Sequence, residues 1–451
     1  MPMLQDNSPR AGTVGARPAR RQEAGSGGDA GRARYRIGPL YLTLPLANVA
    51  LSMTWMGIGS YLIPMQVTEI QGHNDPEALK NAVAIGAALA AIGNPIFGHL
   101  SDRTRSRFGR RTPWMVLCAG LGALALIGQA NVTSIGVLAV TWAFAQFILN
   151  GFQASLTATM PDRVPSSRYG TMSGVIGVAI PLGIIATSYC IGGIDGSHFG
   201  YDGVIGGFGG TFQGANGYYL IAGVLVAVTL LFVTLTPDRS SKHLPVEPFA
   251  LKKLLSGFLV NPRRHPDFSL AFVSRFGVGA GYFVIQTYGF YILMEYVGVS
   301  PHEAPSTMGF LMVVNGIATV AAALFIGRIA DHFGRLKPFV LASGVLAALS
   351  LTIPMLWTSV DGMLAFNIVN GVAFGMYTAV DMALITRVLP RGEDAGKDMG
   401  LINIANAAPQ VAAPFIASAV VGAWGYDALF PLCACISLAG AVVVVFVKSV
   451  R

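Results

Sequence analysis

The sequence predicts an all-α membrane protein with twelve transmembrane helices, arranged as two pseudo-symmetric six-helix bundles around a central cavity. Three observations predict this fold: an apolar composition, recurring apolar runs of membrane-spanning length, and an alternating placement of basic residues. Hydrophobic residues make up 53% of the 451 residues and charged residues only 12%, too few charges to cover a water-soluble particle of this size. An α-helix needs about 20 apolar residues to cross a bilayer, and runs of that length recur along the chain.

Twelve apolar runs follow one another from residue 40 onward. The longest polar connection divides them six and six. We therefore expect a disordered basic cytoplasmic tail at 1–38 and a six-helix bundle at 39–236. A central cytoplasmic loop at 237–266 should lead to a second six-helix bundle at 267–447 and a short cytoplasmic C-terminus at 448–451. The predicted spans are 40–66, 79–100, 112–130, 134–157, 170–192, 216–236, 267–294, 305–327, 338–357, 362–386, 398–422 and 427–447.

Basic residues are sorted to alternate connections. Of the 30 Lys and Arg residues, 28 lie in the termini or in the connections after spans 2, 4, 6, 8 and 10, with Lys80 and Arg275 as the exceptions. By the positive-inside rule this predicts that both termini lie in the cytoplasm, and we expect the protein in the inner (cytoplasmic) membrane. The net charge of +8 then reflects orientation and contact with membrane lipids, and no nucleic-acid partner is expected.

The two halves share internal repeats. The connection after span 2 reads G-H-L-S-D-R-T-R-S-R-F-G-R-R (98–111), and the one after span 8 reads G-R-I-A-D-H-F-G-R (327–335). Both contain G-x-x-x-D followed by an aromatic residue, Gly and Arg. An Asn-Gly pair followed by Arg recurs in spans 4 and 10, at 150–151 with Arg163 and at 370–371 with Arg387. Two matches in the same order predict a duplicated six-span unit.

These connections resemble the signature of the major facilitator superfamily. The longer form S-D-R-T-R-S-R-F-G-R-R-T-P-W (101–114), with P-D-R-V-P (161–165), is similar to glycoside–pentoside–hexuronide cation symporters and plant sucrose–proton symporters. The resemblance covers residues 40–447 and implies alternating access around a pathway lined by helices 1, 4, 7 and 10. Sodium-coupled members such as the melibiose carrier have carboxylates in helices 2 and 4. This sequence has none there, so we expect proton coupling.

Polar residues at helical spacing mark four spans that could line this pathway. Unpaired polar groups in lipid cost several kcal/mol, so these faces should turn toward a cavity, with interhelical hydrogen bonding as the alternative. Amides, tyrosines and a tryptophan offer donors, acceptors and flat apolar faces, which is the chemistry of a sugar ring. The predicted substrate-cavity residues are Asn48, Trp55, Gln146, Asn150, Gln153, Tyr282, Gln286, Asn370 and Tyr377.

Asp381 is the carboxylate that lies clearly inside a span, away from its ends, and Arg275 is the base that does so. Charge at such depth is costly and marks a functional site by default. Both lie roughly 8–12 Å from the cytoplasmic interface by helix rise, so a pair is expected. The predicted role is proton coupling, and the alternative is a permanent structural salt bridge.

Charged residues at the cytoplasmic helix ends predict a gate. By the repeat, Asp102 should pair with Arg163 and Asp331 with Arg387, forming latches that break when the transporter opens inward. The alternative is a static topology anchor. The complete predicted gate comprises Asp102, Arg103, Arg110, Arg163, Asp331, Arg335 and Arg387.

Together these features predict a secondary active transporter, not an enzyme, that carries out proton-coupled symport of a sugar or glycoside as a monomer. No cofactor or metal is expected, because no metal-ligand spacing and no G-x-x-x-x-G-K-[ST] motif is present. The run Gly277-x-Gly279-x-Gly281 is interpreted as a helix-packing feature. Two alternatives stay open: proton-driven efflux of drugs or metabolites, and a non-transporting membrane sensor.

Overall fold

A computed structural model of the chain describes residues 37–165, 168–195, 204–206, 212–242, 266–333, 337–388 and 395–447. Most of the predicted N-terminal tail, residues 243–265 of the predicted central loop and the C-terminus lie outside these ranges.

Within the described ranges the chain forms twelve long helices. The first, α1, runs over Ile37–Met56 and continues through a π-helical segment, Gly57–Leu62, as Ile63–Gln71. Short strands at Ile194–Asp195 (β1) and Val204–Gly206 (β2) pair antiparallel. The other helices are α2 (Pro76–Arg103), α3 (Thr112–Gln129), α4 (Ile135–Arg163), α5 (Tyr169–Thr187, with a π-helical end at Ser188–Gly192), α6 (Ala215–Leu235), α7 (Pro266–Tyr291, with a π-helical end at Ile292–Tyr296), α8 (Ala304–Phe333), α9 (Lys337–Leu356), α10 (Val360–Val388), α11 (Ala395–Trp424) and α12 (Leu429–Val443).

Each predicted span coincides with one of these helices. Eleven are long and apolar enough to cross a membrane, and the twelfth, α11, has a shorter apolar part at Ala408–Trp424. The prediction of twelve membrane-spanning helices, which rests on the apolar runs, is therefore confirmed.

The helices pack in two equivalent sets of six. In the first half, α1 packs against α5 and α6, α4 packs against α2 and α3, and α3 packs against α6. Adding six to every number gives the second half: α7 packs against α11 and α12, α10 against α8 and α9, and α9 against α12. Two seams join the halves, α2 with α11 and α5 with α8, and the same shift relates one seam to the other. The predicted pair of pseudo-symmetric bundles is therefore confirmed.

The glycines of α7 allow close helix crossings. A Cβ atom on Gly277 would lie 2.7 Å from the Cα atom of Gly440 in α12, and one on Gly281 would lie 3.0 Å from the carbonyl oxygen of Cys433. A Cβ atom on Gly279 would lie 3.0 Å from the ring of Pro409 in α11. The interpretation of this glycine run as a packing feature is confirmed.

Hydrogen bonds join the two halves at one end of the bundle. We call the end with the connections after α2, α4, α6, α8 and α10 the basic end, and the opposite end the far end. At the far end, the Tyr288 hydroxyl donates to the carbonyl oxygen of Pro76 (2.8 Å) and the Tyr291 hydroxyl to that of Pro64 (3.4 Å). The amide of Asn74 donates to the carboxylate of Glu295. These bonds join the two halves at the far end in this conformation.

Candidate substrate and coupling site

A small cavity of about 30 Å³ lies between α7, α8 and α10 in the second half. No charged residue lines it within the part of the chain that the structure describes. Three methionines form much of its apolar wall: Met308 and Met312, one turn apart on α8, and Met363 on α10. Its polar lining consists of Tyr282, Gln286, Asn315, Asn367 and Asn370. Its uncharged, partly polar lining offers the contacts that a neutral organic solute uses, and the cavity must widen to admit one.

Asn315 and Asn367 were not among the predicted cavity residues. Asn315 lies in span 8, where no polar stripe was assigned. Asn367 lies one turn before Asn370 on the same face of α10, so helical spacing could have identified it.

A second, smaller cavity of about 10 Å³ adjoins the first between α7, α9, α10 and α12. The two cavities share Gly281, Tyr282 and Asn370 as lining residues. The ring of Tyr282 stacks on that of Phe374, with centroids 3.9 Å apart and planes 7° apart. Tyr377 also lines this second cavity, which therefore extends from the uncharged cavity toward Asp381.

The structure brings Arg275 and Asp381 together, as their depths predicted. The Arg275 Nη1 and Asp381 Oδ2 atoms are 2.7 Å apart, and both side chains are largely buried. The Tyr377 hydroxyl donates to the other carboxylate oxygen, Oδ1, at 2.7 Å. Along α10, the sequence Asn370, Phe374, Tyr377 and Asp381 forms one face that runs from the first cavity to the ion pair.

The predicted cavity residues of the first half lie elsewhere. Trp55 meets Trp142 edge to face at 6.4 Å, which joins α1 to α4. Asn48 donates to the carbonyl oxygen of Leu44, and Asn150 to that of Gln146, both at 2.8 Å. Neither these residues nor Gln153 are among the described residues that line the two cavities, so their role in the pathway stays a prediction.

At the basic end, Asp162 of α4 is the centre of a charge network. Its carboxylate accepts from Arg110 and from Arg111, the latter through Nε at 2.8 Å. Arg111 also pairs with Asp102, and Arg110 lies 3.9 Å from Asp102. Sequence reasoning included Asp102 and Arg110 but missed Asp162 and Arg111. Asp162 is the second residue of the P-D-R-V-P segment (161–165), so this segment could have identified it.

Asp102 and Arg163 do not pair in this conformation, so the latch predicted between them is not formed here and its role in gating stays a prediction. Arg163 instead donates to the carbonyl oxygens of Thr236 (2.8 Å) and Pro237 (3.2 Å). The last carbonyls of a helix lack partners within the helix, so those at the end of α6 attract a neighbouring guanidinium.

The second predicted latch, between Asp331 and Arg387, involves side chains outside the described part of the chain. Arg335 lies outside the described residues, and so do the side chains of Asp331, near the end of α8, and Arg387, near the end of α10. Arg103 is the last residue of α2. The gate roles of these four residues stay predictions.

The segment after α6 docks on the connection after α2. The Ser241 hydroxyl donates to the carbonyl oxygen of Thr104 and accepts from the backbone N–H of Ser106, both at 3.0 Å. Asp238 accepts from the backbone N–H of Arg111 at 3.4 Å. Its carboxylate lies against Gly109, whose φ of +87° favours glycine. The start of the central connection is thereby attached to the charge network.

Two six-helix halves, an uncharged cavity and a buried ion pair beside it define a membrane transporter. The chain belongs to the Major Facilitator Superfamily, whose profile matches residues 44–302 and 271–451.

Curated relatives match shorter parts of the chain. The Fujikurins efflux protein of Gibberella fujikuroi is 28% identical over 174 residues, 38% of this chain and 36% of that protein. An uncharacterized symporter of Synechocystis sp. is 60% identical over 42 residues, 9% of this chain and 8% of that protein. The chain thus matches only about a third of the first relative's length, and less of the second.

Solved structures match almost the whole chain at low identity. Two crystal structures of the nucleoside transporter NupG superpose with TM-scores of 0.68 and 0.66 at 14% identity. They cover 90% and 91% of this chain and 99% and 100% of the matched chains. This similarity concerns the fold.

Proposed function

We propose that the protein is a proton-coupled symporter of a neutral, hydroxyl-rich solute, a sugar or glycoside, that works by alternating access. The observation that carries this proposal is an uncharged cavity lined by amides and Tyr282, connected along α10 to a buried Arg275–Asp381 pair. We place it in the inner membrane as a monomer with the basic end in the cytoplasm, because 28 of its 30 basic residues sort to that end.

The lining of the cavity supports a sugar. A sugar ring has a hydroxyl rim and apolar C–H faces, which suit asparagine amides on one side and methionines or the Tyr282 ring on another. An anionic solute would need cationic side chains in the cavity. A nucleoside is chemically a glycoside, so uridine belongs among the test substrates.

The ion pair supports proton coupling. In this conformation, Arg275 and Tyr377 together hold the Asp381 carboxylate. If a solute in the adjoining cavity displaces Tyr377 or separates Arg275 from Asp381, the buried carboxylate loses the groups that favour its charged form and takes up a proton. Return of the two partners releases that proton. Alternation between these two states would link solute movement to proton movement.

Proton-driven efflux of drugs or metabolites is the second candidate. It is favoured by the match to the Fujikurins efflux protein and by the three methionines of the cavity wall, which suit apolar solutes of varied shape.

Transport in proteoliposomes distinguishes these functions. Purified protein is reconstituted in one orientation, an acidic exterior is imposed on the side of the far end, and uptake of labelled sucrose, melibiose and uridine is followed. Accumulation that a protonophore abolishes supports symport. Extrusion of preloaded solute supports efflux. A lack of flux for all solutes in both directions would favour the non-transporting sensor.

A further inference from the structure

We infer that Asn315, Asn367 and Asn370 determine specificity by presenting fixed hydrogen-bond acceptors to the cavity, so that it selects solutes by their hydroxyl donors. This inference rests on the proposed function and adds to it the polarity with which the solute is recognised. The three residues line the same small cavity between α7, α8 and α10.

The partners of the three amides fix their orientation. The Asn315 Nδ2 atom donates to the carbonyl oxygen of Asn367 at 3.0 Å, and the Asn367 Nδ2 atom donates to that of Met363 at 2.8 Å. A carbonyl oxygen can only accept, so each amide must turn its nitrogen toward it and its oxygen away.

The same argument holds for Asn370 through a serine. The Asn370 Nδ2 atom lies 3.2 Å from Ser350 Oγ, and that hydroxyl donates its hydrogen to the carbonyl oxygen of Ala347 at 2.7 Å. Ser350 can therefore only accept from Asn370, whose nitrogen must face it. A flipped amide at any of the three positions would place two acceptors against each other.

Each anchored amide has thus used one of its N–H groups and kept its whole acceptor capacity. Among the described residues, none donates to the three Oδ1 atoms. Gln286 lines the same cavity without such an anchor and can turn either end of its amide to a solute. The methionine wall offers only weak acceptors. The cavity therefore presents an excess of acceptors.

A solute that lacks donors leaves these oxygens desolvated and unpaired, whereas hydroxyl groups satisfy them. A site that hydrogen-bonds a substrate hydroxyl rejects the analogue that lacks it, because its own buried polar groups then remain unpaired. Sugars meet this requirement, and fully O-methylated sugars of the same shape do not.

Fluorinated sugars test the polarity directly, because a C–F group has lone pairs but no hydrogen to donate. The probes are sucrose, melibiose and uridine, each with its monodeoxy and monodeoxyfluoro analogues, and affinity is measured by ligand-induced thermal stabilisation of the purified full chain. At the positions that meet the asparagines, fluorine should weaken binding as much as hydrogen does, by about 5- to 10-fold for one lost hydrogen bond. Deoxyfluoro analogues that all bind within about 2-fold of the parent would overturn the inference.

Variants assign the effect to the residues. The Asn315→Ala variant should bind the parent sugar and the deoxy analogue of one position with equal affinity. In Asn315→Ser, whose hydroxyl can donate, the fluorinated sugar at that position should bind better than the deoxy sugar. Asn131→Ala is the control, because Asn131 also donates its amide to a protein group, Tyr219 Oη at 2.9 Å, but lies exposed at the far end.

The possible outcomes separate the two claims. If sugar or uridine binds but neither Asn315 variant changes the discrimination, Asn315 is not a specificity residue and the inference fails while the proposed function stands. If none of the three probes binds, the proposed substrate class fails, and this inference fails with it.

Discussion

At the scale of single residues, Asp381 is held in two different ways. Arg275 supplies a charge at 2.7 Å from one carboxylate oxygen, and Tyr377 supplies a hydrogen bond to the other. Only 5% of Asp381 is exposed, so water gives it little support. Its charged state therefore depends on side chains that line the second cavity or lie next to it.

We expect Asp381→Asn to abolish accumulation of solute against its gradient while sparing solute exchange. An amide mimics the protonated acid and cannot cycle a proton. Uptake and counterflow are measured in the same proteoliposomes, with Asn131→Ala as the control. If the variant still concentrates solute in response to a pH gradient, Asp381 is a structural residue and coupling lies elsewhere.

Helix geometry explains which of these contacts could be predicted. Counting residues from the ends of spans 7 and 10 placed Arg275 and Asp381 at one depth. Tyr377 was assigned to the substrate cavity because its stripe was recognised, but spacing alone does not tell which neighbour a hydroxyl bonds. The carbonyl partners of Arg163 could not be predicted, because a repeat compares side chains and carries no information about backbone acceptors.

At the scale of elements, the charge network ties α2, the connection after it and α4 together. Asp162 accepts from both arginines and is 18% exposed, whereas Asp102 is 53% exposed. An exposed ion pair contributes less than about 1 kcal/mol to the free energy of unfolding. Removing the partner of a buried charge lowers that free energy by several times as much. Arg111 is nearly buried, at 7% exposure, so loss of its carboxylate partner should destabilise the network most.

We therefore expect Asp162→Asn to lower the free energy of unfolding by about 2 kcal/mol, and Asp102→Asn by less than about 1 kcal/mol. Thermal unfolding of the two purified variants in one detergent provides the comparison. A larger loss in Asp102→Asn would mean that Asp102, and not Asp162, is the centre of the network.

The crossing of α7 and α12 gives a second prediction at this scale. A Cβ atom on Gly440 would lie 2.8 Å from the Cα atom of Gly277, against backbone that cannot yield. We expect Gly440→Ala to destabilise the protein by about 1–3 kcal/mol through overpacking. Gly223→Ala on α6, where nothing lies within 4 Å of the new methyl group, is the matched control and should be neutral or slightly stabilising. Equal melting temperatures for both variants would contradict this close crossing.

At the scale of the whole molecule, the twelve helices and their division were predictable, but the seams were not. Apolar runs mark each helix, and the duplicated connections mark the two halves. Nothing local in the sequence tells that α2 meets α11 or that α5 meets α8. The π-helical segments of α1, α5 and α7, at Gly57–Leu62, Ser188–Gly192 and Ile292–Tyr296, also carry no pattern that distinguishes them from ordinary helix.

Movement at the far end can be tested by cross-linking. In a variant without native cysteines, we expect a short, reducible bifunctional thiol reagent to join the pair Asn74→Cys and Glu295→Cys and to stop transport. Reduction should restore transport, because alternating access requires this end to open. Each single-cysteine variant is the control. Undiminished transport with the cross-link intact would show that the two positions stay together throughout the cycle.

Orientation in the membrane gives the last prediction. In intact cells, a membrane-impermeant maleimide should label Asn131→Cys, exposed at the far end, but not Ser240→Cys, exposed at the basic end. Permeabilised cells should show labelling of both, which serves as the control for reactivity. Labelling of Ser240→Cys from outside would reverse the proposed orientation.

In each half the last helix packs on the first and third, and this packing bears on the order in which the protein folds during synthesis. The sixth helix packs on α1 and α3, and the twelfth packs on α7 and α9. Domains generally fold in order of synthesis, so the first six helices can complete their own contacts while the rest are still on the ribosome. The faces of α2 and α5 that later meet α11 and α8 must meanwhile face lipid. Of the two seams, the one between α2 and α11 can therefore form only after the one between α5 and α8, because α11 is synthesised after α8.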